Sequence, residues 1–262
     1  MMQGPESYFD AVAHRYFRLY HEESPGGYAL RVRKQRVLEL LDREGGRVLD
    51  VGCGPGVMVQ ELLNLGYEFW GVDASPRMIE ECHKNFGPMK GVHFSVGNAV
   101  SLDFPEGFFD VVICTGVIDR LPAYELAIRE LVRVVKGNGT LLISFPNLLS
   151  PYAAWKRFIF YPTVARLQSL SRGLLRRPPA PSLLSSFAKL HTARAATRLL
   201  AAQGARCTEI VYFDFNLFLS PLDQLFPHGA LKVTEKLERL RFGRLKWLGV
   251  GFIVKARKGA GG

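Results

Sequence analysis

The chemistry-bearing residues of this chain gather around Val48-Leu49-Asp50-Val51-Gly52-Cys53-Gly54-Pro55-Gly56, where a carboxylate lies inside an apolar run that ends in three alternating glycines. The β-branched and apolar residues predict a buried strand. Glycines directly after a strand let backbone approach a ligand closely and take φ > 0 where a turn needs it. A helical pattern starts at Val57, so strand, Gly-rich turn and helix form the first half of a nucleotide-binding unit. The spacing is G-x-G-x-G with Val at 57, a poor match to the G-x-G-x-x-G of dinucleotide sites. Asp50 needs a reason to sit in an apolar strand: it either caps nearby backbone N–H groups or meets a ligand. Asp73 ends the next strand, where a carboxylate can accept from both hydroxyls of a ribose. Asn98-Ala99 follows the third, where an amide can meet an adenine edge. All these positions fall at strand C-termini, the edge where open α/β sheets bind ligands.

The elements that position them alternate. Strands are expected at 47–51, 68–73, 92–96, 109–114 and 140–145, with helices over about 56–65, 76–85 and 123–135. Short connections between them predict an α/β fold, a doubly wound and mostly parallel sheet. An aromatic-rich helix over 5–20 and an amphipathic one from Tyr28 to Arg43, ended by Gly45-Gly46, form an N-terminal cap over 1–46. The alternation breaks after Asn147. Residues 148–190 form a helical insertion around Gly173 and Pro178-Pro179-Ala180-Pro181. A helix from Thr192 to Ala202 and a strand from Arg206 to Phe213 then resume it. A second insertion spans about 216–245, with a helix over 229–241. A last strand, Leu248 to Val254, precedes a basic, Gly-rich tail. The α/β domain thus divides into a cofactor-binding half over 47–147 and a C-terminal half over 191–258.

Charge is unevenly spread. The chain has 262 residues and a formal net charge of +10. Residues 1–147 are slightly acidic, with 15 basic and 19 acidic side chains, whereas 148–200 hold nine basic residues and no acidic one. Residues 231–262 carry nine basic against two acidic. Such asymmetry is a partner signal. The four cysteines show no CxxC pair, so neither a disulfide framework nor a zinc site is expected, and no other metal. Met1 to Glu6 lack the basic and apolar regions of a signal peptide, and no apolar run nears the roughly 18 residues of a membrane span. The expectation is a cytoplasmic protein, peripheral on the inner face of a membrane if the basic insertion touches lipid.

The strand-and-turn segment at 48–56, followed by Gly71-Val72-Asp73-Ala74-Ser75-Pro76-Arg77-Met78-Ile79, resembles the first two motifs of class I S-adenosylmethionine-dependent methyltransferases. Gly97-Asn98-Ala99 resembles the third, with Asn where the family more often has Asp. Phe109-Asp110-Val111-Val112-Ile113 resembles the fourth strand, and Leu131 to Ile143 the helix and Gly turn before the fifth. Five motifs in order over about 47–147 make the match specific; it is looser over 192–213 and the last strand. It is closest to the group acting on small molecules and lipids, and implies a Rossmann-like seven-stranded sheet with its last strand antiparallel.

The resemblance also implies roles. Gly52, Cys53, Gly54 and Gly56 would pass under the methionine and ribose of S-adenosyl-L-methionine, with Asp50 acting on its amino group through the loop or a water. Asp73 would hold the ribose, Ala74 and Met78 would face the adenine, and Asn98 and Ala99 would meet its edge. Cys114, Thr115 and Gly116 would lie beneath the methyl being transferred. Tyr16 and Tyr20 would close the pocket from above, or anchor their helix as core aromatics. Asp119-Arg120 stands where relatives often show Glu-His, which leaves Asp119 as a departed candidate base. His191, just before the Thr192 helix, lies near where some relatives place a pocket histidine.

The reaction expected is methyl transfer to an O or N atom of a small, hydrophobic or lipid-like acceptor. Over 148–177, Trp155, Phe158, Ile159, Phe160 and Tyr161 interleave with Lys156, Arg157, Arg166, Arg172, Arg176 and Arg177. That pattern fits a pocket lid, a contact with an anionic membrane, or both. The alternatives are a nucleic-acid methyltransferase whose basic segments hold phosphates, and a cofactor-binding protein without turnover.

Overall fold

Three helices open on the same pair of residues, and the pair explains where they start. Ser24-Pro25, Ser75-Pro76 and Ser150-Pro151 each place a serine at the N-cap and a proline at the first helical position. The serine oxygens accept from Gly27 N, Met78 N and Ala153 N, which satisfies N–H groups that have no partner within the helix. In this computed structural model, residues 5–42, 44–160, 162–164, 166, 189–216, 225–239 and 246–259 are described. The segment 167–188, with the proline cluster and Arg172, Arg176 and Arg177, lies outside them, as does Tyr161.

In chain order the elements are α1 (Pro5–Leu19), α2 (Pro25–Glu39), β1 (Gly46–Val51), α3 (Val59–Asn64), β2 (Tyr67–Asp73), α4 (Pro76–Phe86), β3 (Val92–Val96) and β4 (Phe109–Cys114). Then come α5 (Tyr124–Val134), β5 (Val135–Pro146), α6 (Pro151–Trp155), α7 (Ala193–Ala202), β6 (Ala205–Phe213), α8 (Pro227–Arg239) and β7 (Gly251–Lys258). The seven strands form one sheet in the order β3-β2-β1-β4-β5-β7-β6, with β7 antiparallel to both neighbours. It is the doubly wound, Rossmann-like sheet expected.

Alternation along each strand fills two cores. Leu49, Val51, Val112, Leu141 and Ile143 pack on one face with Ile128 and Leu131 of α5 and Ala196 and Leu200 of α7. Val48, Val111, Ile113 and Leu142 pack on the other with Val32 and Val37 of α2, Val59 and Leu62 of α3 and Ile79 of α4. With both faces covered, the central strands are apolar throughout. Register brings Val51 beside Val72 and Cys114, and Asp73 beside Val96, so the chemistry-bearing turns share one edge.

Some boundaries differ from expectation. α2 begins at its Ser24 cap rather than at Tyr28, because Ser-Pro opens a helix here instead of breaking one. α3 begins at Val59, since Gly56 takes φ +81° and the turn continues past it. β5 starts at Val135, with Gly137-Asn138-Gly139 carried inside the strand and Asn138 at φ +60°. The last strand is 251–258, not 248–254, and Lys246–Leu248 forms a 3-10 turn. The basic tail is therefore partly strand. Lys255 and Arg257 both pair with Asp42, and Lys258 Nζ reaches Glu106 at 3.2 Å. Among the described residues no helix is long and apolar enough to cross a membrane.

Candidate active site

β1 delivers the chain to a turn in which three glycines do different work. Gly52, Gly54 and Gly56 have φ of +77°, +54° and +81°, a region side chains other than glycine rarely adopt. A Cβ on Gly52 would stand 2.1 Å from Val117 Cγ2, and one on Gly56 would stand 2.9 Å from the Phe86 ring. A Cβ on Gly54 would meet only the Tyr16 ring edge, at 3.9 Å. Gly54 is thus the glycine whose backbone faces open space. Its N–H donates to Asp73 Oδ2 at 2.9 Å, and Gly52 N–H donates to Val72 O at 2.7 Å, so the turn is stitched to β2.

Asp73 spends both oxygens on backbone. Oδ1 accepts from Ser75 N at 2.9 Å, and burial pushes its carboxyl up against the backbone bonds from Ser75, Gly54 and Ala74. The two oxygens offer about four lone-pair sites, so the carboxylate keeps capacity for a ligand. Asp50 is 1% exposed, and its Oδ1 has no hydrogen-bond partner among the described residues. Burial, with Asp73 nearby, pushes the Asp50 carboxyl up to about 7, while Arg33 opposes the shift. The backbone-capping alternative for this oxygen is therefore not what the structure shows. A buried oxygen without a donor is a costly feature unless a ligand completes it.

The N-terminal helices roof the same space. Ser75 Oγ donates to Asp10 Oδ1 of α1 at 2.5 Å, and Val12, Ala13 and Tyr16 pack on Met78. Tyr20 hydrogen-bonds Arg33 of α2, and burial pushes its hydroxyl up to about 12. Arg33 lies deep in the protein yet keeps surface toward the cavity. Burial works against its charge, and Tyr20 and Asp119 more than offset that. Its Nη1 comes within 2.7 Å of where a Gly116 Cβ would stand. Sequence reasoning missed Arg33. The only signal was an arginine on the apolar side of an amphipathic helix.

One cavity collects Tyr16, Tyr20, Arg33, Asp50, Gly52, Cys53, Gly54, Asp73, Ala74, Met78, Asn98, Ala99, Thr115 and Gly116. Asn98 Oδ1 accepts from Val100 N at 3.1 Å, which fixes the loop after β3. Gly116 N donates to Ser144 Oγ at 2.9 Å, and Arg120 Nε donates to Gly116 O at 3.2 Å. Four expected residues are not among those lining it. Gly56 packs under Phe86 instead. Cys114 is the fully buried last residue of β4, its thiol pushed up by burial. Asp119 is buried in the Ile118–Arg120 turn behind the cavity wall.

His191 is 7% exposed, with its ring edge-on to Tyr124 and near Phe145, both centroids at 5.3 Å. It is drawn there because its N–H donates to Pro146 O and its C=O accepts from Leu148 N, which staples it to the end of β5. Burial lowers its pKa while Asp119 opposes, and Nε2 has no partner among the described residues.

Residues 49–143 match the family described as "Methyltransferase domain". A 2-methyl-6-phytyl-1,4-hydroquinone methyltransferase of Synechocystis is 35% identical over 101 residues, 38% of this chain and 32% of the relative. A ubiquinone biosynthesis O-methyltransferase of Xanthomonas oryzae is 29% identical over 141 residues, 53% of this chain and 59% of the relative. The matches thus span about a third to three-fifths of these relatives. Among solved structures, magnesium protoporphyrin IX methyltransferase of Synechocystis, with bound SAH, superposes with TM-score 0.59 at 17% identity, covering 97% of each chain. Residues 49–143 are a class I S-adenosylmethionine-dependent methyltransferase domain, and S-adenosylmethionine is the cofactor of that class. The cavity fits that group: it offers an unpartnered buried carboxylate oxygen, an open glycine and a deep guanidinium.

Proposed function

We propose that the protein transfers a methyl group to an O or N atom of a small hydrophobic acceptor of the phenol or hydroquinone kind. The observation that carries this reading is one cavity lined by both Asp50 and Asp73, floored by Gly54 and roofed by Tyr16, Tyr20 and Arg33. When bound, S-adenosylmethionine supplies an electrophilic methyl on a sulfonium centre. Asp50 would accept from its ammonium, Arg33 and Tyr20 would donate to its carboxylate, and Asp73 would accept from its ribose. Ala74, Met78, Asn98 and Ala99 would surround the adenine. Thr115, Gly116 and Val117 would line the side on which the acceptor enters. The chain mainly orients the reactants and excludes water. No histidine lines the cavity among the described residues, so His191, kept neutral by burial, would act on the acceptor only from behind that wall.

A hydrophobic acceptor would account for the apolar and basic surface that follows β5. Leu148, Leu149, Phe158 and Ile159 are exposed next to Lys156 and Arg157, and Asn147 Nδ2 donates to Trp247 O at 2.6 Å, bringing exposed Trp247 to the same edge. We take this as the face that meets an anionic membrane. The test supplies radiolabelled methyl donor with long-tailed hydroquinones, free phenols and RNA in parallel. Label in an apolar product supports the reading. Label in RNA, or none in any acceptor despite cofactor binding, overturns it.

A further inference from the structure

Two thiols that methyl transfer does not use meet behind the glycine turn. Cys53 follows Gly52 in the turn, and Cys82 comes from the second turn of α4. Cys82 Sγ donates to Gly54 O at 3.0 Å, and Cys53 Sγ lies 3.6 Å from the same oxygen. Two sulfurs converging on one carbonyl are neighbours, and contact with Cys82 raises the Cys53 thiol pKa. Cys53 is 3% exposed and Cys82 0%, but Cys53 lines the cavity whereas Cys82 does not. Among the described residues the pair is thus buried, and its Cys53 member faces the space the cofactor would fill. The carbonyl they share belongs to Gly54, the residue whose N–H is tied to Asp73.

We propose that Cys53 and Cys82 form a disulfide when the cavity is empty and a small two-electron oxidant such as hydrogen peroxide enters it, and that this bond loosens the turn and weakens cofactor binding. The step balances. The Cys53 sulfur loses its proton and attacks one peroxide oxygen, which breaks the O–O bond and leaves a sulfenic acid and water. The Cys82 sulfur then attacks the Cys53 sulfur, breaks its S–O bond and releases a second water. Two thiols are oxidised by two electrons and one peroxide is reduced. Contact with Cys82 and burial both hold the Cys53 thiol protonated, so the reaction is slow and selects for long exposure without cofactor. Forming the bond removes the Cys82 donor from Gly54 O. The carbonyl is left buried and short of a partner, so the turn shifts to recover one.

The bond itself does not depend on the proposed function; only its effect on cofactor does. The test treats the full chain with hydrogen peroxide, with and without S-adenosylhomocysteine, then denatures, alkylates and maps peptides. The expected result is a dithiothreitol-reversible Cys53–Cys82 link, two hydrogens lighter than the reduced pair, with Cys114 alkylated as a thiol and the link suppressed by S-adenosylhomocysteine. The oxidised protein should bind S-adenosylhomocysteine at least about tenfold more weakly, with recovery on reduction. Cys82→Ser, which keeps a donor for Gly54 O, should show no such loss. Alkylation of both residues after peroxide, or Cys53 oxidised alone beside a free Cys82, overturns the proposal. So does a link that leaves affinity unchanged. If the reduced protein binds no S-adenosylhomocysteine while the link still forms, the functional reading fails and the disulfide stands.

Discussion

Asp50 ties chemistry and stability to one side chain. Its carboxyl titrates near 7 in the folded chain, against 3.8 for the ordinary group. The folded state therefore binds the proton more tightly than the unfolded one. The stability this gives is fully present below about pH 4 and is lost as pH rises through about 7. The linkage is worth at most about 4 kcal/mol at neutral pH. The cofactor-free protein should lose stability in urea between pH 5 and pH 8, and Asp50→Asn should flatten that slope; equal slopes in the two proteins would contradict the assignment. Affinity for a cationic amino group runs the other way and should rise as Asp50 ionises. The spacing of Asp50, the glycines and Asp73 was legible in the sequence, because those residue types have few other uses at strand ends. Arg33 was not, since its place depends on how α2 lies across the sheet. The setting of His191 was hidden for a similar reason: the sequence shows its helix start but not the backbone staple to Pro146 and Leu148.

At the scale of elements, the α1–α4 clasp decides whether the cavity has a roof. Ser75 both caps α4, accepting from Met78 N at 3.2 Å, and holds Asp10 of α1. Ser75→Ala should cost about 1–2 kcal/mol by urea denaturation and speed protease cleavage within α1. Ser75→Thr should restore most of it; an alanine variant that behaves as wild type would remove the clasp from the account. The alternating core strands and the capped helices could be read from the sequence. The extents of β5 and β7 could not. Gly137-Asn138-Gly139 looks like a stop signal, yet the strand runs through it with Asn138 left-handed. Lys255, Arg257 and Lys258 look like a frayed tail, yet β7 keeps them through pairing with Asp42 and Glu106.

For the whole molecule, that pairing moves the charge argument. The C-terminal cations are partly answered within the fold, and bonds from Lys255 and Arg257 hold the Asp42 carboxyl below its usual range despite burial. The surplus over 148–200 has no acidic residue in its own segment. The protein should therefore sediment with anionic vesicles and not with neutral ones, with binding reduced by Lys156→Glu and Arg157→Glu together. Each basic residue near the surface adds about 1 kcal/mol. Equal retention on both vesicle types would detach the membrane from the function.

The most direct measurement of the central claim is calorimetric titration of S-adenosylhomocysteine into the reduced full chain and into Asp73→Ala. The cavity predicts saturable binding to the wild type and a loss of at least about tenfold in the variant, the weight of a charge-assisted hydrogen bond. Equal affinity in the two proteins, or no binding to a folded wild type, would contradict it.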